Sequence, residues 1–222
     1  LNAYTSIDET VYNIDNVPVA NVPSAIDSCL YILHDWAGSL LLEDEDIDKE
    51  RGVIHEEWRQ RNDPNSRMYE ILLPKIYPGN KYGQRMPIGT MEVVDNFPYE
   101  ALRSYYRTWY RPDQQAIVVV GDIDVDAVEA KIKDIFGTLP AAPADAPERV
   151  YTPVEDNEQT IVAIATDKEQ TYPIIYVMAK HEAVTPAEKN TLDYLIYQYA
   201  DAVADIMMSQ RLHEMTEAAD PD

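Results

Sequence analysis

Three prolines, Pro140, Pro143 and Pro147, fall within eight residues of the stretch Thr138-Leu-Pro-Ala-Ala-Pro-Ala-Asp-Ala-Pro-Glu-Arg-Val150. No helix and no internal strand can run through such a segment. Each proline fixes its own φ, lacks a backbone N–H, and turns the residue before it away from the helical region. A chain of 222 residues interrupted there is expected to fold as two units joined by a Pro/Ala-rich linker. The expected boundaries are a first unit over 1–140, the linker over 141–148, and a second unit from 149 to 222.

Within these limits the periodicity predicts alternating types of element. The opening LNAYTSIDETVYNI has two short extended pieces around Ser6-Ile7-Asp8-Glu9 and reads as a hairpin. Ile26, Leu30, Leu33 and Trp36 recur at helical spacing over about 24–42. A second helix spans about 44–61, with Glu45, Asp46 and Asp48 at its positive start and Asp63-Pro64 beyond its end. Shorter helices are expected over 68–76, 99–109 and 126–136. Gln114–Gly121 is apolar enough to be a strand buried on both faces. Further strands near 160–165 and 173–179 precede a long helix over 186–216. This order predicts an α+β fold, a mostly antiparallel sheet covered by helices on one face, followed by the start of a second similar domain.

Forty acidic residues against 18 basic ones give a net charge of −22. A field of that sign repels phosphate backbones and argues against a nucleic-acid partner. The apolar runs are too short to span a bilayer. A single cysteine, Cys29, excludes an internal disulfide framework and a cysteine-rich zinc site. Tyr105, Tyr106 and Tyr110 cluster before Arg111-Pro112 and are read as core packing with hydroxyls near the surface.

The most informative charges lie in Lys49-Glu-Arg-Gly-Val-Ile-His-Glu-Glu-Trp-Arg-Gln-Arg61. A His-Glu pair on a helix suggests the zinc motif H-E-x-x-H, but the position four residues after His55 is Arg59, which cannot ligate a metal. At about 100° per residue, Ile47, Ile54 and Trp58 form one apolar stripe, and Glu50 and Glu57 fall together on one edge of it. His55 falls on the opposite edge. A carboxylate in that position is costly unless paired or bound to a cation. One solution pairs Glu57 with Arg61 at i+4. The other uses a carboxylate as a metal ligand.

Four blocks together resemble the pitrilysin/insulinase family of zinc metallopeptidases. They are NAYTSIDETVY, ERGVIHEEW, the long stretch IGTMEVVDNFPYEALRSYYRTWYRPDQQAIVVVGDID, and the linker with the unit after it. In that family two histidines of an inverted motif H-x-x-E-H and a distant glutamate hold zinc, and the motif's own glutamate is the general base. The resemblance implies that Glu57 is the third zinc ligand and that Glu50, seven residues earlier, supports it. It also implies that Asn2 and Ala3 lie on an edge strand that binds peptide substrate by main-chain pairing.

The four histidines, His34, His55, His181 and His213, form no H-x-x-E-H. The family spaces that motif farther ahead of the distant glutamate than the 56 residues before Glu57. The resemblance therefore implies that the histidines and general base lie upstream of Leu1, and that this piece alone is inactive. The implied function is a fragment of a Zn2+-dependent metalloendopeptidase acting on peptides or unfolded polypeptides. The alternative is a non-catalytic structural or peptide-binding subunit of the same family. Implied partners are the remaining domains of the parent chain or a homologous subunit. A periplasmic or envelope location follows by resemblance to bacterial members.

Overall fold

A computed structural model describes residues 1–180 and 183–217, and the chain divides into two units, Leu1–Pro173 and the part from Ile174 onward. The first unit opens with β1 (Asn2–Thr5) and β2 (Thr10–Asn13), paired antiparallel with Ala3 opposite Tyr12 and Thr5 opposite Thr10. Ser6 closes this hairpin by donating its N–H to Glu9 O at 2.8 Å. Helices α1 (Ala25–Gly38), α2 (Asp44–Arg61), α3 (Pro64–Ile76), α4 (Met91–Asn96), α5 (Tyr99–Trp109) and α6 (Val125–Phe136) follow. The expected α+β class holds, with helices in the majority.

The apolar core is small: Leu30, Ile47, Leu73, Tyr106, Val128 and Ile135 are the buried apolar residues among those described. Helix α1 packs on α6. Gly38, at the end of α1, lies against the Leu139 side chain, which a Cβ there would meet at 2.7 Å. The α1 end falls at Gly38 instead of near residue 42 because the Tyr106 hydroxyl takes over the next polar groups. It donates to Trp36 O at 2.8 Å and accepts from Leu40 N at 3.3 Å. The same Asp63-Pro64 pair that closes α2 opens α3: the Asp63 side chain accepts from Ser66 N, and proline suits the first turn.

Three expected strands form no ladder. Among the described residues the only ladder is β1 with β2. The stretch 115–120 is therefore not covered on both faces. Gln115, Ile117 and Val119 are partly covered, while Val118 and Val120 stand 82% and 91% exposed. That alternation is the period of a strand with one covered face. The segments 160–165 and 173–179 likewise have no ladder partner. Apolar composition selects an extended backbone; only a neighbouring strand makes it a sheet.

The Pro/Ala-rich stretch 141–148 lies inside the first unit. Buried Arg111 donates to Pro147 O at 2.7 Å and to Asp113 at 3.1 Å. Beyond it the chain is tied back repeatedly. Arg149 donates to Asp8 O (2.7 Å), Asn80 Nδ2 to Pro153 O (2.7 Å), and Lys75 to Ile164 O (3.0 Å). Arg67 grips Asp167 through two nitrogens, at 2.7 and 2.9 Å, and Glu169 at 2.7 Å.

The second unit contains α7 (Pro186–Lys189) and α8 (Leu192–Thr216). The single expected helix over 186–216 breaks at Asn190-Thr191. Thr191 restarts it by accepting from Tyr194 N, as Thr185 caps α7 in a reciprocal box with Glu188. No helix among the described residues is long and apolar enough to cross a membrane.

Candidate functional site

Helix α2 carries the two glutamates singled out above. Asp44, Glu45 and Asp46 occupy its first turn and Arg59 and Arg61 its last, each sign matching the adjacent end of the helix dipole. The approach to α2 is set by Leu42, whose φ of 50° is left-handed, an uncommon state for leucine. Arg103 holds that turn, donating to Leu42 O at 3.1 and 2.8 Å and also to Asp44.

Ile47 on α2 is buried, and Ile54 and Trp58 are partly so, as the apolar stripe requires. Glu57 is half-exposed, its side chain 38% accessible, and Oε1 lies 2.8 Å from Arg61 Nη2. Glu50 is exposed. The i+4 pairing of Glu57 is thus present, and a cation already sits against its carboxylate. His55, on the other edge, is partly exposed with Nε2 2.6 Å from Asp95 Oδ1.

His34 and His213 are engaged elsewhere. His34 packs edge-on against Phe136 at 5.7 Å and contacts Thr138 Oγ1 at 3.0 Å. His213 lies 3.4 Å from Glu217. His181 and its neighbour Glu182 lie outside the described residues. Among the described residues no group of three His, Cys, Asp or Glu side chains could hold a metal. Glu57 offers a carboxylate oxygen of the type zinc accepts, and the Arg61 guanidinium occupies a cation position beside it. The residues fit the metal as one donor of a larger set.

Asn2 and Ala3 both lie on β1 and are exposed. Among the described residues β1 pairs only with β2, so its other edge is open. The Ala3 N–H donates to Asn2 Oδ1 at 2.9 Å. Leu1, Asn2 and Ala3 line a hollow of about 290 Å³ with Tyr12, Trp36 and Leu40. The hydroxyl of Tyr12, one of its lining residues, shares a 2.6 Å hydrogen bond with Tyr110, and burial followed by that bond raises the Tyr110 phenol above its usual range.

One charged residue in this region escaped the sequence reading. Arg51 sits in the apolar stripe itself, four residues after Ile47 and three before Ile54, and its side chain is only 15% exposed. Its Nη2 donates to Phe97 O at 2.8 Å, its Nη1 to Val94 O, and its Nε to Asp48 at 3.1 Å. A cation amid apolar positions was the available signal.

Comparison with known proteins covers the whole of this region. The family model described as the peptidase M16 inactive domain matches residues 96–205. The probable zinc protease PqqL of Escherichia coli is 36% identical over 169 residues, covering 76% of this chain and 18% of that protein. The crystal structure of the first half of that periplasmic protease superposes with a TM-score of 0.61 at 36% identity, over 70% of this chain and 32% of that one. A zinc protease PQQL-like of Arabidopsis thaliana is 28% identical over 99% of this chain and 22% of its own length. The ferredoxin protease FusC, solved with Arabidopsis ferredoxin, is 31% identical with a TM-score of 0.53, covering 56% of this chain and 14% of that one. The chain spans about a fifth of the length of these two PqqL-type relatives.

Proposed function

The chain belongs to the pitrilysin/insulinase family of zinc peptidases, and on that premise we propose that it is part of a zinc metalloendopeptidase in which Glu57 is a metal ligand. Glu50 supports that ligand from two turns earlier on α2. The two zinc histidines and the general-base glutamate lie outside this chain, which alone is inactive. The observation that carries the reading is the 36% identity to the probable zinc protease PqqL, with the Glu57 carboxylate half-exposed at the edge of an apolar helix stripe. Zinc, when bound, supplies Lewis-acid activation of water and of the scissile carbonyl. Glu57 contributes an anionic oxygen, and Arg61 competes with the metal for that carboxylate.

Substrate peptide or unfolded polypeptide adds to the open edge of β1. Ala3 provides main-chain groups at that edge, after Asn2 Oδ1 releases the Ala3 N–H, and the Asn2 side chain can hydrogen-bond the peptide. Contacts with further domains of the parent chain or a homologous subunit complete the enclosure. Because PqqL is periplasmic, we extend a periplasmic or envelope location to this protein.

A second reading, a non-catalytic subunit of the family, is favoured by the match to the inactive-domain model and by the satisfied Glu57–Arg61 pair. Elemental analysis after dialysis separates the two. About one zinc per full-length chain, lost in Glu57→Gln, supports the peptidase; no zinc on the full-length protein supports the subunit.

A further inference from the structure

Arg51 is held by more groups than a packing role needs. Its guanidinium bonds two carbonyls, Val94 O and Phe97 O, and stacks 3.9 Å over the Phe97 ring. Those carbonyls close α4, where unpaired acceptors and the negative end of the helix dipole attract a cation. Its Nε reaches Asp48, whose other oxygen accepts from Tyr99 OH at 2.8 Å. One turn farther along α2, His55 meets Asp95 of the same short helix at 2.6 Å. Helices α2 and α4 are therefore joined at two successive turns along one edge.

The glutamates lie on the other edge. At about 100° per residue, Arg51 is ~120° around the axis from Glu57 and ~100° from Glu50, with Ile47, Ile54 and Trp58 between. An apolar side chain would pack in the stripe as well as Arg51 does, since a buried charge is a poor source of net stability. A planar fork fixed to two carbonyls adds a restraint on rotation, which an apolar residue lacks. The lever is short. A carboxylate about 6 Å from the axis moves ~1 Å for each ~10° that the helix turns, and a displacement of that size spoils a metal constellation.

We infer that Arg51 is the positioning residue that sets the rotation of α2, and with it the direction in which Glu50 and Glu57 present their carboxylates to a metal. This rests on the reading of Glu57 as a zinc ligand. The test uses the full-length protein with Arg51→Lys and Arg51→Met, beside Glu57→Gln. Zinc affinity is read by chelator competition, ligand geometry by the absorption of the cobalt(II)-substituted protein, and folding by melting of the metal-free form. Lysine keeps the charge and much of the stem but cannot span both carbonyls.

The expected result is an increase of about 10-fold in the zinc dissociation constant of Arg51→Lys, within the range of outer-shell losses, and an altered cobalt spectrum. Arg51→Met should lose more. If it fails to fold, the lysine variant decides. Parent-like zinc affinity and cobalt spectrum in the folded variants would overturn the inference whatever the melting temperature, because a purely structural tie predicts that outcome. Loss of zinc in Glu57→Gln beside parent-like Arg51 variants removes the positioning role and leaves the ligand reading standing. Zinc retained by Glu57→Gln removes both.

Discussion

Replacing Tyr106 by phenylalanine removes one oxygen from the place where α1 ends. That oxygen donates to Trp36 O and accepts from Leu40 N, 70 and 66 residues away in sequence. The ring keeps its shape, so packing and the contact with Tyr110, 4.7 Å between ring centres, stay intact. What is lost is two hydrogen bonds at a residue only 9% exposed, with one carbonyl and one N–H left behind. At about 0.5–1.5 kcal/mol for each bond, the cost is about 1–3 kcal/mol. For a chain of this size about 2–4 °C is lost per kcal/mol, so the melting temperature should fall by roughly 2–12 °C. Calorimetry measures the shift, and hydrogen exchange at the Leu40 amide localises it. Tyr105→Phe is the control, since Tyr105 is exposed and should change stability by under about 0.5 kcal/mol. Equal shifts for the two variants, or protection of Leu40 unchanged in Tyr106→Phe, would refute the reasoning.

Leu30→Ala empties the most buried side chain of α1 and should cost about 2–5 kcal/mol by chemical denaturation. Arg61→Gln breaks an i,i+4 pair in which Arg61 is exposed, so stability measured the same way should change by under about 0.5 kcal/mol. The Arg67 guanidinium, helped by the Glu169 N–H, holds the Asp167 carboxyl down to about 2. Because that pKa is lowered, the contribution to stability is complete above the ordinary carboxylate range near ~4 and is lost as pH falls toward 2. Proteolysis of residues 164–170 by an acid-active protease should therefore rise between pH 4 and 2 in the parent and be already raised at pH 5 in Arg67→Met.

Local chemistry made part of this structure legible in the sequence. Both ends of α2 fall where the acidic start and Asp63-Pro64 put them, and α5 begins directly after Pro98. The Glu57–Arg61 pair follows from i+4 spacing alone. Helix α4 was not seen because six residues give less than two turns of periodicity; the Thr90 cap on Val93 N was its only signal. The end of α1 depends on a hydroxyl from α5, and the anchorage of Arg51 depends on main-chain carbonyls. Neither kind of partner leaves a pattern in the side chains. For the same reason an apolar run such as 115–120 reveals its backbone but not whether another strand lies beside it.

The ties that follow the proline-rich stretch bear on how the chain acquires its shape. Residues 149–169 return to groups laid down much earlier: Arg149 to Asp8, Asn80 to Pro153, Lys75 to Ile164, and Arg67 to Asp167 across 100 residues. Closing a loop that long costs about 4 kcal/mol of chain entropy before any contact forms. The helices, whose contacts are local, can form while the ribosome is still adding residues; these ties cannot. The first unit therefore waits on synthesis of its last twenty or so residues, and Arg67 emerges as an uncompensated cation well before its carboxylates exist. A nascent chain stalled near residue 150 would hold its helices but lack this final fastening, and would be the species most open to chaperones and proteases.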